Sequence, residues 1–213
     1  MNEKRPHIAA PPAEDSTQKS PPTRRRVRDR IFDTACRLFY EQGIRAVGVD
    51  AIAQEAGTNK MSFYRSFASK EELVAEYLRA QADEYWQWWD TTLAQYTGDP
   101  RRQAEALFDA YAPHAREYCP RGCALANAAV EICGEADARI IKIVCDYKSE
   151  IRRRLRALAH DMGAHNPDQL GDALMLLMEG GYSTSVAAPS DNGFLCAAAA
   201  AARALIDAHL HKR

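Results

Sequence analysis

Residues 58 to 65 set Thr58, Asn59, Lys60, Met61, Ser62, Tyr64 and Arg65 within about two helical turns. Short hydroxyl and amide groups beside two cations can donate to phosphate oxygens or to base edges, and none is a strong nucleophile. Upstream stands Arg24-Arg25-Arg26, followed by Arg28 and Arg30. Such a cluster is either a solvated tail or an arm that touches phosphate or a minor groove, and the pattern that follows it favours the arm. A second set of reactive types, His114, Cys119 and Cys123, forms a His-x4-Cys-x3-Cys string. It lacks a second His or Cys pair at ligand spacing, so no metal site is expected. The two thiols are candidates for redox chemistry instead, because a helix starting after Gly122 would lower a thiol pKa. Glu71-Glu72 reads as helix-start carboxylates. With no Gly-rich loop after a strand and no G-x-S-x-G elbow, no enzymatic constellation and no cofactor are expected.

These groups need elements to hold them, and from Val27 onward the hydrophobic spacing is helical, without the alternation of strands. The expected class is all-α. A first helix over about 26–42 places Val27, Ile31, Ala35, Leu38 and Phe39 on one face, and Gly43 ends it. A short helix over about 49–56 stops at Gly57, and a third runs from Thr58 or Asn59 to about Ser66. Ser69 with Glu72 three residues on makes a capping box for a long fourth helix, to about Gln95. Later helices are expected over about 101–112, 123–133, 136–162, 167–187 and 192–211. Pro113, Pro120 with Gly122, Gly134, Gly163 and Pro189 fall at the breaks, and Asn166-Pro167 is a start signal.

Composition limits the alternatives. With 46% hydrophobic and 27% charged positions, the 213 residues can bury a core. No apolar run reaches the length of a membrane span, the alanine run near residue 200 coming nearest, and nothing resembles a secretory signal. Six scattered cysteines do not suggest a disulfide framework, and a cytoplasmic location is expected. The net charge of −1 argues against nucleic acid only if evenly spread. Residues 1–80 carry 14 Lys and Arg against 11 Asp and Glu, whereas the remainder carries 14 against 18. The expected organisation is a Pro-rich basic tail (1–25), a helix-turn-helix unit (26–75) and a C-terminal helical half (76–213).

Two short helices meeting at Gly57 resemble a helix-turn-helix, and the spacing narrows the likeness. Gly43, Ile44, Val49, Ile52, Ala53, Ala56, Gly57, Tyr64, Phe67, Lys70 and Leu73 occupy the positions of the TetR/AcrR pattern G-I/F-x-x-T-x-V-x-x-I-A-x-x-A-G-V-S-x-x-x-x-Y-x-x-F-x-x-K-x-x-L. Residues 30–40 resemble that family's first helix. The chain departs at Val47 and at Thr58-Asn59, and Met61 stands where the family commonly has a small residue. The resemblance implies that Tyr64 and Lys70 touch phosphates while Thr58, Lys60, Met61 and Ser62 lie nearest the bases of double-stranded, pseudo-palindromic operator DNA. It also implies a homodimer, with Leu170, Leu174, Leu177, Phe194, Ala198 and Leu205 in the expected interface. A small-molecule effector is expected in the C-terminal helices, lined by Trp86, Trp89, Phe108, Tyr111, His114, Tyr118, Cys123, Asn127, Glu179 and Tyr182. The implied function is a transcriptional regulator, a repressor released by its effector. Two alternatives stay open: a redox-responsive regulator acting through Cys119 and Cys123, and a constitutive DNA-binding dimer without a ligand. For each aromatic residue alone, core packing is the plainer expectation.

Overall fold

A computed structural model describes residues 26–132, 137–187 and 193–210. The expected tail of residues 1–25, with Arg24 and Arg25, lies outside these, as do the expected breaks at Gly134 and Pro189. Among the described residues every regular element is a helix: α1 (Val27–Gln42), α2 (Val49–Glu55), α3 (Lys60–Ser66), α4 (Lys70–Ala94), α5 (Pro100–Tyr118), α6 (Ala124–Glu131), α7 (Ala138–Asp161), α8 (Pro167–Ala187) and α9 (Gly193–Leu210).

The first three helices close on α1's apolar stripe. Ile31, Ala35, Leu38 and Phe39 recur at helical spacing and are buried, together with Ile52 and Phe63. Val27, expected on that stripe, is instead 38% exposed, because it sits at the first turn beyond the reach of α2 and α3. The link from α2 to α3 is set by hydrogen bonds. Gly57, at φ +64°, donates to the Gln54 carbonyl, and the Thr58 amide donates to the Ala53 carbonyl. This is the Schellman pairing, and the left-handed residue at its centre favours glycine. Asn59 then caps α3 by accepting from the Ser62 amide at 2.9 Å.

Ser69 accepts from the Glu72 amide at 3.1 Å, as the capping box requires, while Glu72 reaches the Ala68 amide, one residue before the cap. The helix so started is continuous through the boundary expected after residue 75, so the N-terminal helices and the C-terminal part share α4. One core runs from Ile31 to Ile206.

In the C-terminal half α7, α8, α9 and α5 pack in succession, with α4 against α5 and α7. The closest approach is at Gly171, where an added Cβ would stand 2.7 Å from the backbone of Arg156. Arg152 and Arg156 both reach Asp172 across that contact, and Arg154 joins Asp90 of α4 while lying 4.2 Å above the Trp86 ring. Arg152 and Arg154 therefore brace α7 against two neighbours. Glu150, held by Arg153 and Arg154, titrates at about 2, well below the usual carboxylate range.

A second difference concerns α5. Its helix does not stop before Pro113 but continues to Tyr118. Burial of Leu107, Phe108, Tyr111, Ala112 and Ala115 along one face outweighs the missing amide bond at the proline. Gly193–Leu210, with a mean hydropathy of 1.3, is long and apolar enough to cross a membrane by length and composition alone. Its Leu195, Ala198, Ala202 and Ile206 are nevertheless packed inside this bundle.

Candidate nucleic-acid interface

Phe63 anchors α3 in the core, so the rest of that short helix faces outward. Asn59, Lys60, Met61, Tyr64 and Arg65 are exposed, Met61 by 66% and Tyr64 by 50%. Thr58, Ser62 and Lys70 are half-buried. A helix pinned by one aromatic and displaying cations, a thioether and a phenol has the shape and chemistry to enter a major groove.

The exposed side chains are already arranged. Lys60 pairs with Asp50 of α2 at 3.1 Å, and Arg65 lies 3.5 Å from the Met61 sulfur. The Asn59 side-chain oxygen accepts the capping bond, a task the sequence offered to Thr58 or Asn59, and its side-chain NH2 group is left to donate. Burial lowers the pKa of Lys70, whose ammonium lies 6.0 Å from the Phe39 ring. Of the upstream arginines, Arg26 is exposed, Arg28 is paired with Glu76 and lies 4.6 Å above the Phe67 ring, and Arg30 donates to the Ala56 carbonyl. Arg28 and Arg30 thus fix α1 to its neighbours. Val47 is 2% exposed, so the hydroxyl of the family's threonine is replaced here by core packing. Asp50 is a member of this surface that sequence reasoning missed; its ten-residue distance from Lys60 crosses a turn, and neither helical period links them.

The residues expected to line an effector pocket separate into distinct environments. Trp89, Phe108 and Tyr111 are 2% exposed or less and belong to the packed core, a correction whose cause is the convergence of α4, α5 and α7. Tyr111 also donates to the Met178 carbonyl at 2.5 Å. Glu179 is bound by Lys148 and Asn127 donates to the Arg121 carbonyl, so neither is a free polar handle. Trp86, His114, Cys123 and Tyr182 do gather. His114 stacks on Trp88 at 4.4 Å and approaches the exposed Tyr118 ring, and Tyr182 donates to Cys119 at 3.9 Å. Cys123 lies 3.9 Å from the Tyr147 hydroxyl, and Tyr147 packs on Tyr85 and Trp86. The Nδ1 atom of His114 is buried without a hydrogen-bond partner among the described residues, and burial lowers the His114 pKa to about 4.

Cys119 corrects the thiolate expectation. It caps the C-terminal end of α5, and burial raises its pKa to about 11, so its thiol is protonated at neutral pH. The expected dimer residues also divide. Leu170, Leu174 and Ala198 are buried in this chain's own bundle, because α7 and α9 cover that side of α8. Leu177 and Leu205 are half-buried. The outward face of α8 and α9 carries Leu176 (73% exposed) and Phe194, with Ala197, Ala200, Ala204 and Ala208, whereas Val186 lies beside Gly122.

Comparison with known proteins bears on the N-terminal part most directly. Residues 31–77 match the model of the bacterial regulatory proteins, tetR family. The chain is 40% identical over 77 residues to the HTH-type transcriptional repressor KstR2 of Rhodococcus jostii, and 45% identical over 56 residues to the Mycobacterium tuberculosis protein of that name. These matches span 36% and 26% of this chain but only 35% and 28% of the relatives' own lengths. Solved structures extend the likeness to the whole fold. SCO4454, a TetR-family transcriptional regulator from Streptomyces coelicolor, superposes with a TM-score of 0.75 at 23% identity, covering 87% of this chain and 96% of that one. A TetR transcription regulator from Haloarcula marismortui gives 0.70 at 18% identity, covering 87% and 98%.

Proposed function

We propose that this chain, a member of the tetR family of bacterial regulatory proteins by its residues 31–77, is a cytoplasmic homodimeric repressor that binds operator DNA and is released by a small molecule. The observation that carries the DNA-binding reading is the outward face of α3: Lys60, Met61, Tyr64 and Arg65 exposed on a helix whose Phe63 alone is buried. Two such helices, related by a two-fold axis, would read pseudo-palindromic half-sites one helical turn apart. The apolar outward faces of α8 and α9 support pairing of two copies into a four-helix bundle. The domain division at about residue 75 is retained in a functional sense, with α4 as the shared rod.

The effector site is assigned to the cluster of Trp86, His114, Tyr118, Cys123 and Tyr182. His114 supports this, since its unpartnered buried nitrogen on a neutral ring offers one hydrogen bond to a ligand otherwise held by aromatic faces. Release follows from differential binding: a hundredfold loss of operator affinity requires the ligand to favour the non-binding arrangement by about 2.7 kcal/mol. The test is selection from random duplexes, followed by affinity against salt concentration. A recurrent two-half-site sequence with a steep salt dependence is expected. Absence of any enriched site, with salt-independent binding, would overturn the DNA-binding reading.

A further inference from the structure

Where α1 ends, the two halves of the molecule are fastened at two points and open between them. Tyr40, in the last turn of α1, donates its hydroxyl proton to the Gly122 carbonyl at 3.1 Å and accepts the Arg121 amide at 2.9 Å. Five residues later the Arg45 amide donates to the Glu131 carboxylate, at the end of α6, at 3.1 Å, and that carboxylate lies beside Gly43. Between these fastenings lies a cavity of about 420 Å³, walled by Phe39, Tyr40, Tyr77, Ala124, Asn127 and Glu131. Side-chain packing does not fill the gap, so the bonds at its two ends hold α1 against α6.

Both fastenings depend on glycine. Gly43, at φ +94°, would place a Cβ 3.0 Å from the Glu131 carboxylate. Gly122, at φ +82°, would place a Cβ 2.8 Å from Val186. Val186 lies in the last turn of α8, the helix whose outward face is assigned to the dimer contact. The turn of residues 119–123 is therefore held between Tyr40 of the DNA-facing helices and Val186 of α8. Its two ends, Cys119 and Cys123, touch Tyr182 and Tyr147 of the aromatic cluster. Burial raises the Tyr40 pKa to about 12, which keeps the hydroxyl able both to donate and to accept.

We infer that Tyr40 is a positioning residue: its hydroxyl bonds to the 119–123 turn fix the angle between the DNA-binding helices and α8, and so set the half-site spacing that the dimer accepts. Glu131 holds the second point of the same joint. The aromatic cluster can act on that angle directly, because it shares the turn. The inference rests on the DNA-binding and dimer reading above.

The test compares the full-length chain with Tyr40→Phe and Glu131→Gln on the operator found by selection, on versions with one base pair inserted or removed between half-sites, and on an unrelated duplex. Tyr40→Phe keeps the ring and removes only the hydroxyl. Expected is a loss of about tenfold on the native spacing, a smaller penalty for altered spacing, and unchanged binding to the unrelated duplex. Glu131→Gln should shift the same ratios in the same direction. An unchanged spacing preference in both variants, or equal losses on operator and unrelated duplex, would overturn the inference. Should the parent select no site, the DNA-binding reading has failed, and the joint is read by amide hydrogen exchange. Tyr40→Phe is then expected to speed exchange throughout 40–46 and 121–131 while 193–210 is unchanged; acceleration confined to the Arg121 amide overturns it.

Discussion

Lys60, proposed above to meet DNA, is held in place by a neighbouring carboxylate. Its pair with Asp50 is solvent-exposed on both sides, so it contributes little to folding, but it orients a cation at the start of α3. Replacing Lys60 with Ala is expected to weaken operator binding by about 1 to 3 kcal/mol and to relax the base preference at the position it reaches. Asp50→Asn should do the opposite for unrelated duplexes, raising their affinity by freeing the ammonium; filter binding at several salt concentrations reads both. His114 carries a prediction in pH. Its folded pKa of about 4 lies below the 6.5 of an unperturbed imidazole, so the unfolded chain binds the extra proton. The stability it contributes is full above pH 6.5 and is lost as pH falls towards 4. The urea midpoint of the parent should therefore fall relative to that of His114→Phe as pH is lowered from 7 to 4. A constant difference across that range would show that His114 does not titrate in this window.

Among the elements, α5 departs furthest from its local signals. Pro113 removes one amide donor within the helix, leaving the Asp109 carbonyl without its i+4 amide, yet the flanking residues Phe108, Tyr111, Ala112 and Ala115 are buried along one face. Tertiary contact supplies the helix its local sequence opposes. Pro113→Ala is expected to stabilise the chain by about 1 to 3 kcal/mol, measured by chemical denaturation, because a donor is regained and the ring clash disappears. A destabilised variant would overturn this account of α5. α3 makes the contrasting case: seven residues, one buried side chain and a cap at Asn59, a helix too short to persist without α1 and α2 behind it.

For the molecule as a whole, the bundle leaves one side unfinished. Ion pairs tie α5 to α9 through Arg101 with Asp207 and Arg203 with Asp109, while the outward sides of α8 and α9 keep Leu176 and Phe194 exposed. A carboxylate at either place would have to be desolvated if two copies meet there. Leu176→Glu and Phe194→Glu are expected to turn a dimer into a monomer in sedimentation velocity and to abolish binding to paired half-sites, with single half-site binding only weakly changed. A dimer that survives both substitutions would move the interface elsewhere.

The helical class, Gly57 and the cap at Ser69 could be read from residue order, because each depends on partners within five residues along the chain. The outward chemistry of α3 was legible for the same reason: one aromatic in, its neighbours out. Tertiary structure alone decided the rest. Leu170 and Leu174, placed in an interface by the family resemblance, are covered by this chain's own helices, and Trp89 and Phe108, expected to line a pocket, are buried in its core. Periodicity says which face of a helix is apolar and not which partner buries it. The Tyr40 joint could not be foreseen at all, since its partners lie 81 and 82 residues away and are backbone groups, which leave no mark in the sequence.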